Sequence, residues 1–153
     1  SIDPENIHIM KKEFVSNVYD GYITKNNAVY FAGGEFACDV TQLIPGTTLD
    51  EDGYLVDKNG VLYDLTDAEV TVEVGLNDIE ILDDVEEGNV SGEIVSFIYI
   101  GDHYQVVVRT ADDEDFVVET EYMWNEEDLV SIKIAPEAIK MRLKGEAKQY
   151  VKA

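Results

Sequence analysis

The chain is poor in the residues that build disulfide frameworks, membrane-spanning helices and histidine-rich sites. Its 153 residues include one cysteine, Cys38, so an internal disulfide is excluded. Cys38 lies in the apolar run EFACDV and is predicted to be a small buried hydrophobic residue. No apolar stretch approaches the roughly 20 residues that a membrane helix requires. With only two histidines, His8 and His103, most metal or relay sites built from several histidines are excluded.

Basic residues are also scarce, and the formal net charge is −22. Residues 13–132 contain 29 acidic residues but only Lys25, Lys58 and Arg109 as cations. Such a field repels phosphate backbones and anionic lipids, so nucleic-acid binding is not expected. It attracts metals, polyamines and basic protein surfaces. The composition leaves two interpretations open, because the charge either recruits a specific cation or only keeps the chain dissolved.

Motifs for catalysis are missing as well. The sequence has no Ser/His/Asp set, no G-x-S-x-G, no C-x-x-C and no glycine-rich phosphate loop, so catalysis by this chain alone is not expected. Residues 50–53 and 57–60 briefly resemble calcium loops. However, placing Gly60 at the sixth loop position puts Leu55 at the first and Thr66 at the twelfth, which are not calcium ligands. These segments are therefore predicted to be hairpin turns, and the acidic run 112–115 is predicted to be a hairpin tip.

Alternation with a period of two residues dominates the chain and predicts an all-β fold. In 94–100 the residues Ile94, Ser96, Ile98 and Ile100 fall on one side of a strand, opposite Val95, Phe97 and Tyr99. Turn signals separate the strands at 26–27, 33–34 and 59–60, and Asn59-Gly60 predicts a two-residue type I′ hairpin. Helix is expected only for a turn or two, at 11–18, around Pro4 and Pro136, and at 144–152.

One segment of ten residues, here called the closing element because it ends a predicted β unit, occurs three times. The segment IKIAPEAIKM at 132–141 has a near copy, VEVGLNDIEI, at 72–81 and a shorter one, SIDPENIHIM, at 1–10. Such repetition predicts duplicated β units. Together with the acidic linker 83–89, it predicts two small barrel-like lobes of antiparallel hairpins. They span residues 1–83, with an inserted hairpin at 45–66, and residues 84–153.

Several of these segments are similar to one known family. The stretches GEIVS at 92–96, IYIGDHY at 98–104 and IKIAPEAI at 132–139, with IDPENIHIM at 2–10, resemble the TOBE region of ABC-type importer ATP-binding subunits. The spermidine/putrescine type is the most similar. TOBE domains are small β units of the oligomer-binding fold that follow the nucleotide-binding domain. Residues 45–66 depart from the pattern, and Leu76-Asn77-Asp78 replaces the Pro-Glu turn of the last copy.

The resemblance implies a non-catalytic regulatory and dimerisation module of a polyamine importer. Because the chain has no Walker A, Walker B or signature motif, ATP and magnesium would bind in another domain, and no cofactor is expected in this chain. The implied partners are a second copy of the ATP-binding subunit, the permease subunits and polyamines, at the cytoplasmic face of the cell membrane.

The candidates for an interface or ligand face are Tyr99, His103, Tyr104 and Trp124. Trp124 has two interpretations, as the lid of a barrel core or as the anchor of a contact with another chain. Two alternatives to the regulatory module are a small-ligand-binding TOBE unit for polyamines or oxyanions and a secreted β-sandwich module for adhesion or carbohydrate binding.

Overall fold

Short antiparallel strands make up most of the protein. A computed structural model describes residues 16–152. Thirteen strands lie in that range: β1 (Ser16–Ile23), β2 (Ala28–Phe31), β3 (Gly34–Ala37), β4 (Thr48–Leu49), β5 (Leu55–Val56), β6 (Leu62–Tyr63), β7 (Glu69–Gly75), β8 (Ile79–Leu82), β9 (Val90–Tyr99), β10 (Tyr104–Thr110), β11 (Asp115–Thr120), β12 (Leu129–Ile134) and β13 (Lys140–Leu143).

The strands form two five-stranded sheets and one small three-stranded sheet. The order is β13-β7-β1-β2-β3 in the first sheet, β11-β10-β9-β12-β8 in the second and β4-β5-β6 in the third. Every pairing is antiparallel, so the prediction of an all-β fold built from hairpins is confirmed. The third sheet corresponds to the hairpin predicted as an insertion at 45–66.

Helix is limited in residues 16–152 to four 3-10 turns, at Val40–Leu43, Leu76–Asp78, Pro136–Ala138 and Ala147–Tyr150. The last two lie where short helical turns were predicted. The prediction of a helical turn at 11–18 is wrong for residues 16–18, which begin β1 and pair with β7. The remainder of that segment, the turn at Pro4 and the repeat copy at 1–10 lie outside the described residues.

The two described copies of the closing element have the same structure, strand followed by a 3-10 turn and another strand. In each copy the second strand leaves the sheet of the first. β8 leaves β7 to pair with β12, and β13 leaves β12 to pair with β7. Ile81 lies opposite Ile132 in one pairing, and Val72 lies opposite Met141 in the other. The two copies therefore exchange their final strands.

This exchange bears on the predicted division into lobes at residues 83/84. Strand pairing crosses that point in both directions, because β8 belongs to the second sheet and β13 to the first. The linker itself is exposed along 83–87, as its acidic composition predicts. Buried side chains from both five-stranded sheets belong to one hydrophobic core. The lobe boundary stays a prediction.

Aromatic side chains join the two large sheets inside that core. Phe116 of β11 is fully buried, and its ring centroid lies 5.1 Å from that of Tyr19 in β1. Phe31 of β2 completes the contact at 5.1 Å from Tyr19 and 4.4 Å from Phe36. Complete burial of a side chain of this size contributes roughly 1.5–3 kcal/mol. These rings therefore form part of the core where the two large sheets meet.

A buried polar residue makes a second link between the sheets. The Asn17 side chain, 3% exposed, donates from Nδ2 to the Val117 carbonyl at 3.0 Å and accepts the Val117 N–H at Oδ1 at 2.9 Å. Next to it, the Tyr19 hydroxyl donates to the Asp115 carbonyl at 2.7 Å. Asn17 thus acts on the edge of β11 as a neighbouring strand would, and it satisfies backbone groups that would otherwise be unpaired.

The turn at Asn59-Gly60 differs in type from the prediction. A type I′ turn needs positive φ at both central residues, but here only Gly60 has it, at 82°. The Asp57 side chain accepts hydrogen bonds from the N–H groups of Asn59 and Val61, both at 2.9 Å, and holds a longer loop. An aspartate that caps its own turn explains the difference. The segment at 50–54 closes in the same way.

Candidate functional site

The hairpin between β9 and β10 carries a cluster of three aromatic rings. Tyr104 begins β10, and its ring stacks on Phe97 with 5.0 Å between centroids. Tyr99, which lies directly opposite Tyr104 in the ladder, packs against it at 5.1 Å. Period-two alternation places Phe97 and Tyr99 on the same side of β9, so the cluster follows from the strand register. Tyr99 is 59% exposed, and the cluster therefore presents an aromatic surface.

His103 lies in the turn of the same hairpin, between two carboxylates. Its Nδ1 is 2.6 Å from Asp102 Oδ1, and its Nε2 is 3.6 Å from Glu119 Oε2. The hydrogen bond to Asp102, with the negative charge of Glu119, raises the pKa of His103 above its ordinary value. The same bond lowers the pKa of the Asp102 carboxyl. Protonation of the ring is thus more favourable than in a free histidine, and Glu119 of β11 lies within ion-pair distance of it, although Nε2 makes no hydrogen bond in the described structure.

Trp124 lies in a different group of residues. It is half-buried against the hydrophobic core, and its indole N–H is shielded from water without a hydrogen-bond partner in the described structure. Its neighbours Tyr122 and Met123 are 74% and 67% exposed. Together they line an open hollow of about 650 Å³, whose other lining residues are Ile81, Leu82, Asp83, Asp84, Glu87 and Asp128.

Hydrogen bonds fix each wall of this hollow separately. The Ser131 hydroxyl, fully buried in β12, donates to the Asp84 carbonyl at 2.6 Å and accepts the Gly88 N–H at 3.0 Å. On the other wall, Asp128 Oδ2 accepts the Asn125 N–H at 3.0 Å. The acidic linker is therefore attached to the second sheet, and Asp83, Asp84 and Glu87 line the hollow together with Trp124.

In residues 16–152, no group of three His, Cys, Asp or Glu side chains is arranged to hold a metal ion. Within the same range, no helix is long and apolar enough to cross a membrane.

Comparison with known proteins identifies the family of this region. Residues 70–141 match the family model of the TOBE domain. These residues are a TOBE domain. The match begins in β7 and ends in β13, so it contains both copies of the strand–turn–strand element and the exchange between them.

Two curated relatives extend the similarity beyond the TOBE domain. The chain is 33% identical over 141 residues to the spermidine/putrescine import ATP-binding protein PotA of Bacteroides fragilis, strain YCH46. It is equally similar over the same length to the protein of that name from Bacteroides thetaiotaomicron. Each alignment covers 92% of this chain but only 26% of the relative, so the chain spans about a quarter of the length of the curated relatives it matches. The resemblance to this type of importer subunit is confirmed.

A solved structure shares the fold. The cytoplasmic molybdate-binding protein ModG, in a crystal form with molybdate bound, aligns with a TM-score of 0.53 and 9% identity. The alignment covers 85% of this chain and 97% of that one. At this identity the likeness concerns the β architecture alone.

All four predicted face residues lie within the TOBE domain, but they do not form one site. Tyr99 and Tyr104 are in contact and His103 lies in the turn between them, whereas Trp124 belongs to the hollow beside the linker. Phe97 was not predicted as a member of the aromatic cluster, although the alternation that puts it on the side of Tyr99 was a usable signal. The carboxylates that line the hollow with Trp124 were not predicted either, because nothing local brings 83–87 near 124–128.

Proposed function

We propose that the chain is a non-catalytic regulatory and dimerisation module of an ABC importer ATP-binding subunit that serves polyamine uptake. The observation that carries the proposal is the 33% identity over 92% of the chain to two spermidine/putrescine import ATP-binding proteins. The absence of phosphate-binding sequence motifs supports a role without catalysis. ATP and magnesium would be bound by a separate nucleotide-binding domain.

In this proposal the module acts by contact. A regulatory domain that binds its counterpart better in one state of the ATPase domains than in the other shifts the equilibrium between those states. The partners are a second copy of the subunit and, through it, the permease subunits at the cytoplasmic face of the membrane. Nucleic acid is not a partner, because residues 13–132 contain 29 acidic and three basic residues.

The test is a chimera. The segment of Bacteroides fragilis PotA that aligns with this chain is replaced by the chain, and the chimera is produced in cells that lack their own polyamine uptake. We expect spermidine or putrescine uptake close to that of the parent protein, and clearly above that of a PotA with the segment deleted. The purified chain alone should hydrolyse no ATP. A chimera that folds and hydrolyses ATP but transports neither polyamine better than the deletion would refute the proposal.

The Trp124 hollow favours a second candidate function, the sensing of polyamine. Four carboxylates, those of Asp83, Asp84, Glu87 and Asp128, line it beside the rings of Tyr122 and Trp124. Carboxylates neutralise ammonium groups, and aromatic faces attract them.

The test is calorimetry of the chain with spermidine at physiological salt. The D83N/D84N double variant should weaken binding at least tenfold, whereas D112N/D113N, with the same change of charge at the β10–β11 turn, should not. Heat seen only at low salt would reduce the effect to counterion condensation and exclude sensing.

An oxyanion is a poorer ligand for this chain. Between residues 16 and 132 the only Lys and Arg residues are Lys25, Lys58 and Arg109, and Arg109 is held by Asp115 through a hydrogen bond of 2.8 Å from Nε. Within residues 16–132, molybdate or sulfate would therefore have only Lys25, Lys58 and backbone N–H groups to bind it. We expect no change in the melting temperature of the chain with either anion at millimolar concentration.

A further inference from the structure

Strand β9 extends beyond its neighbour on one side. β10 pairs with it along residues 92–99, but β12 pairs with it only along residues 90–93. The last bonds on the β12 side involve Ile94, whose N–H donates to the Asp128 carbonyl and whose carbonyl accepts the Glu127 N–H. Beyond Ile94 no strand among residues 16–152 pairs with that side of β9.

The register shows which backbone groups face this open edge. The Ile100 N–H donates to the His103 carbonyl, so Ile100 faces β10. Because successive residues of a strand direct their N–H and C=O groups to opposite sides, Ile98 also faces β10, and Phe97 and Tyr99 face away from it. Ile94, although an even-numbered residue like Ile98 and Ile100, faces β12 and not β10. The reason is a β-bulge at Val95, which is left unpaired in the ladder with β10. The edge thus offers the N–H and C=O groups of Phe97 and Tyr99.

The side chains along this edge do not protect it. Residues 95–100 read VSFIYI, without a charge, a proline or a glycine, and Ile98, Tyr99 and Ile100 are 52%, 59% and 42% exposed. Two other edges in the described structure are protected, since β13 carries Lys140 and Arg142 and β11 is bonded by Asn17. An unprotected apolar edge invites pairing with another chain.

The charge around the edge selects the partner. Residues 84–132 contain fourteen acidic residues and one basic residue, Arg109, which is paired with Asp115. Exposed Glu126 and Glu127 lie where the edge begins. Where it ends, the two carboxylates of Asp102 and Glu119 flank the single His103 ring, so this end is negative as well. A second copy of this chain would bring the same negative charges to the edge and be repelled.

We propose that the β9 edge at residues 95–100 binds an extended basic segment of a partner protein by strand addition. Backbone hydrogen bonds to Phe97 and Tyr99 supply the pairing, Ile98 and Ile100 on one face and Tyr99 on the other contact the added side chains, and the acidic ends attract its Lys or Arg residues. The inference rests on strand geometry and charge, and it stands whether or not the importer proposal holds.

The test uses a ten-residue peptide of alternating Lys and Val as the probe, with the whole chain at physiological salt. Binding is measured by calorimetry, and hydrogen exchange of single amides is measured by NMR. We expect exchange at Phe97 and Tyr99 to slow at least tenfold, while exchange at exposed amides of the β5–β6 turn stays unchanged. A peptide with Glu in place of Lys should not bind, and one with N-methyl groups on alternate residues should bind at least tenfold more weakly.

A pair of variants separates backbone pairing from side-chain contact. Y99P loses the aromatic ring, its hydroxyl bond to the Gly101 carbonyl and an outward N–H, whose loss an edge strand tolerates. Y99T loses the same ring and the same bond but keeps the N–H. Y99P should abolish protection at residue 97 and weaken binding at least tenfold relative to Y99T, at similar melting temperatures.

Three results would overturn the proposal. The first is equal binding by both variants or by the N-methylated peptide. The second is binding of the Glu peptide as tightly as the Lys peptide. The third is protection of Phe97 and Tyr99 that rises with protein concentration in the absence of peptide, which would assign the edge to a second copy.

Discussion

Replacing Asn17 with alanine tests how the two large sheets are held together. The variant leaves the N–H and C=O of Val117 without their partner, since both bond to the Asn17 side chain at 2.9 and 3.0 Å. An unsatisfied buried backbone group costs about 1–3 kcal/mol. Val117 is half-buried, so water can replace part of the loss, and we take the lower half of that range. The expected decrease in the free energy of unfolding is about 2–4 kcal/mol for the two groups.

The assay is urea denaturation followed by far-UV circular dichroism, with thermal melting alongside it. For a chain of this size each kcal/mol shifts the melting temperature by about 2–4 °C, so N17A should melt roughly 5–15 °C below the wild type. Y19F is the matched control, because it removes a single bond to the Asp115 carbonyl at the same edge and should cost about 0.5–1.5 kcal/mol. If N17A loses less than Y19F, the bidentate link does not stabilise the sheets as described.

Three further predictions concern single residues. The pKa of His103 is raised and that of Asp102 is lowered, so their pairing stabilises the fold at pH values between the two folded pKa values. The stabilisation that depends on protonated His103 is lost as the pH rises through the folded pKa of His103. H103Q should therefore lower the urea midpoint at pH 5.5 but not at pH 8.5, and an equal loss at both would exclude the ion pair. Cys38 is half-buried, less than the sequence predicts, and burial raises the pKa of its thiol to about 12. A thiol reagent at pH 8 should therefore modify it many times faster in urea than in the folded protein, and equal rates would contradict this partial burial. Gly60 has φ 82° with open space around it, so G60A should cost only the roughly 1–2 kcal/mol of left-handed strain, whereas G21A, whose new Cβ would lie 2.6 Å from the Tyr30 carbonyl oxygen in β2, should cost clearly more by urea denaturation. The reverse order would mean that β1 and β2 can separate to admit a methyl group.

Local features of this fold were predictable from the sequence because they depend on neighbouring residues. Alternation in 94–100 specifies a strand and its two sides, and Asn or Gly residues at 26–27, 33–34 and 59–60 mark the turns. Even there, the type of turn at Asn59-Gly60 was wrong, because the Asp57 side chain, two residues before the pair, favours a longer loop.

Long-range partners were not predictable in the same way. Alternation identifies the side of a strand that is buried, but it does not say which strand lies beside it. Asn17 and Val117 are 100 positions apart, and an asparagine in a strand is no signal for an edge contact. For the same reason Trp124 was grouped with Tyr99, whereas the fold places it beside the linker. The family resemblance was independent of these long-range predictions, because it depended on short local segments that include the repeated element.

The reciprocal pairing of β8 with β12 and of β13 with β7 has a consequence for how the protein can be divided. A piece ending at residue 83 would keep β7 but lose β13, and a piece starting at 84 would keep β12 but lose β8. Each would expose a vacant groove that fits the tail of the other, so the two pieces mixed together should reassemble into the native pairing. Either piece alone should instead seek that tail in other molecules, which is the route to swapped oligomers. β8 and β13 are the outer strands through which each half completes the sheet of the other, so a single cut at 83/84 leaves both large sheets one strand short.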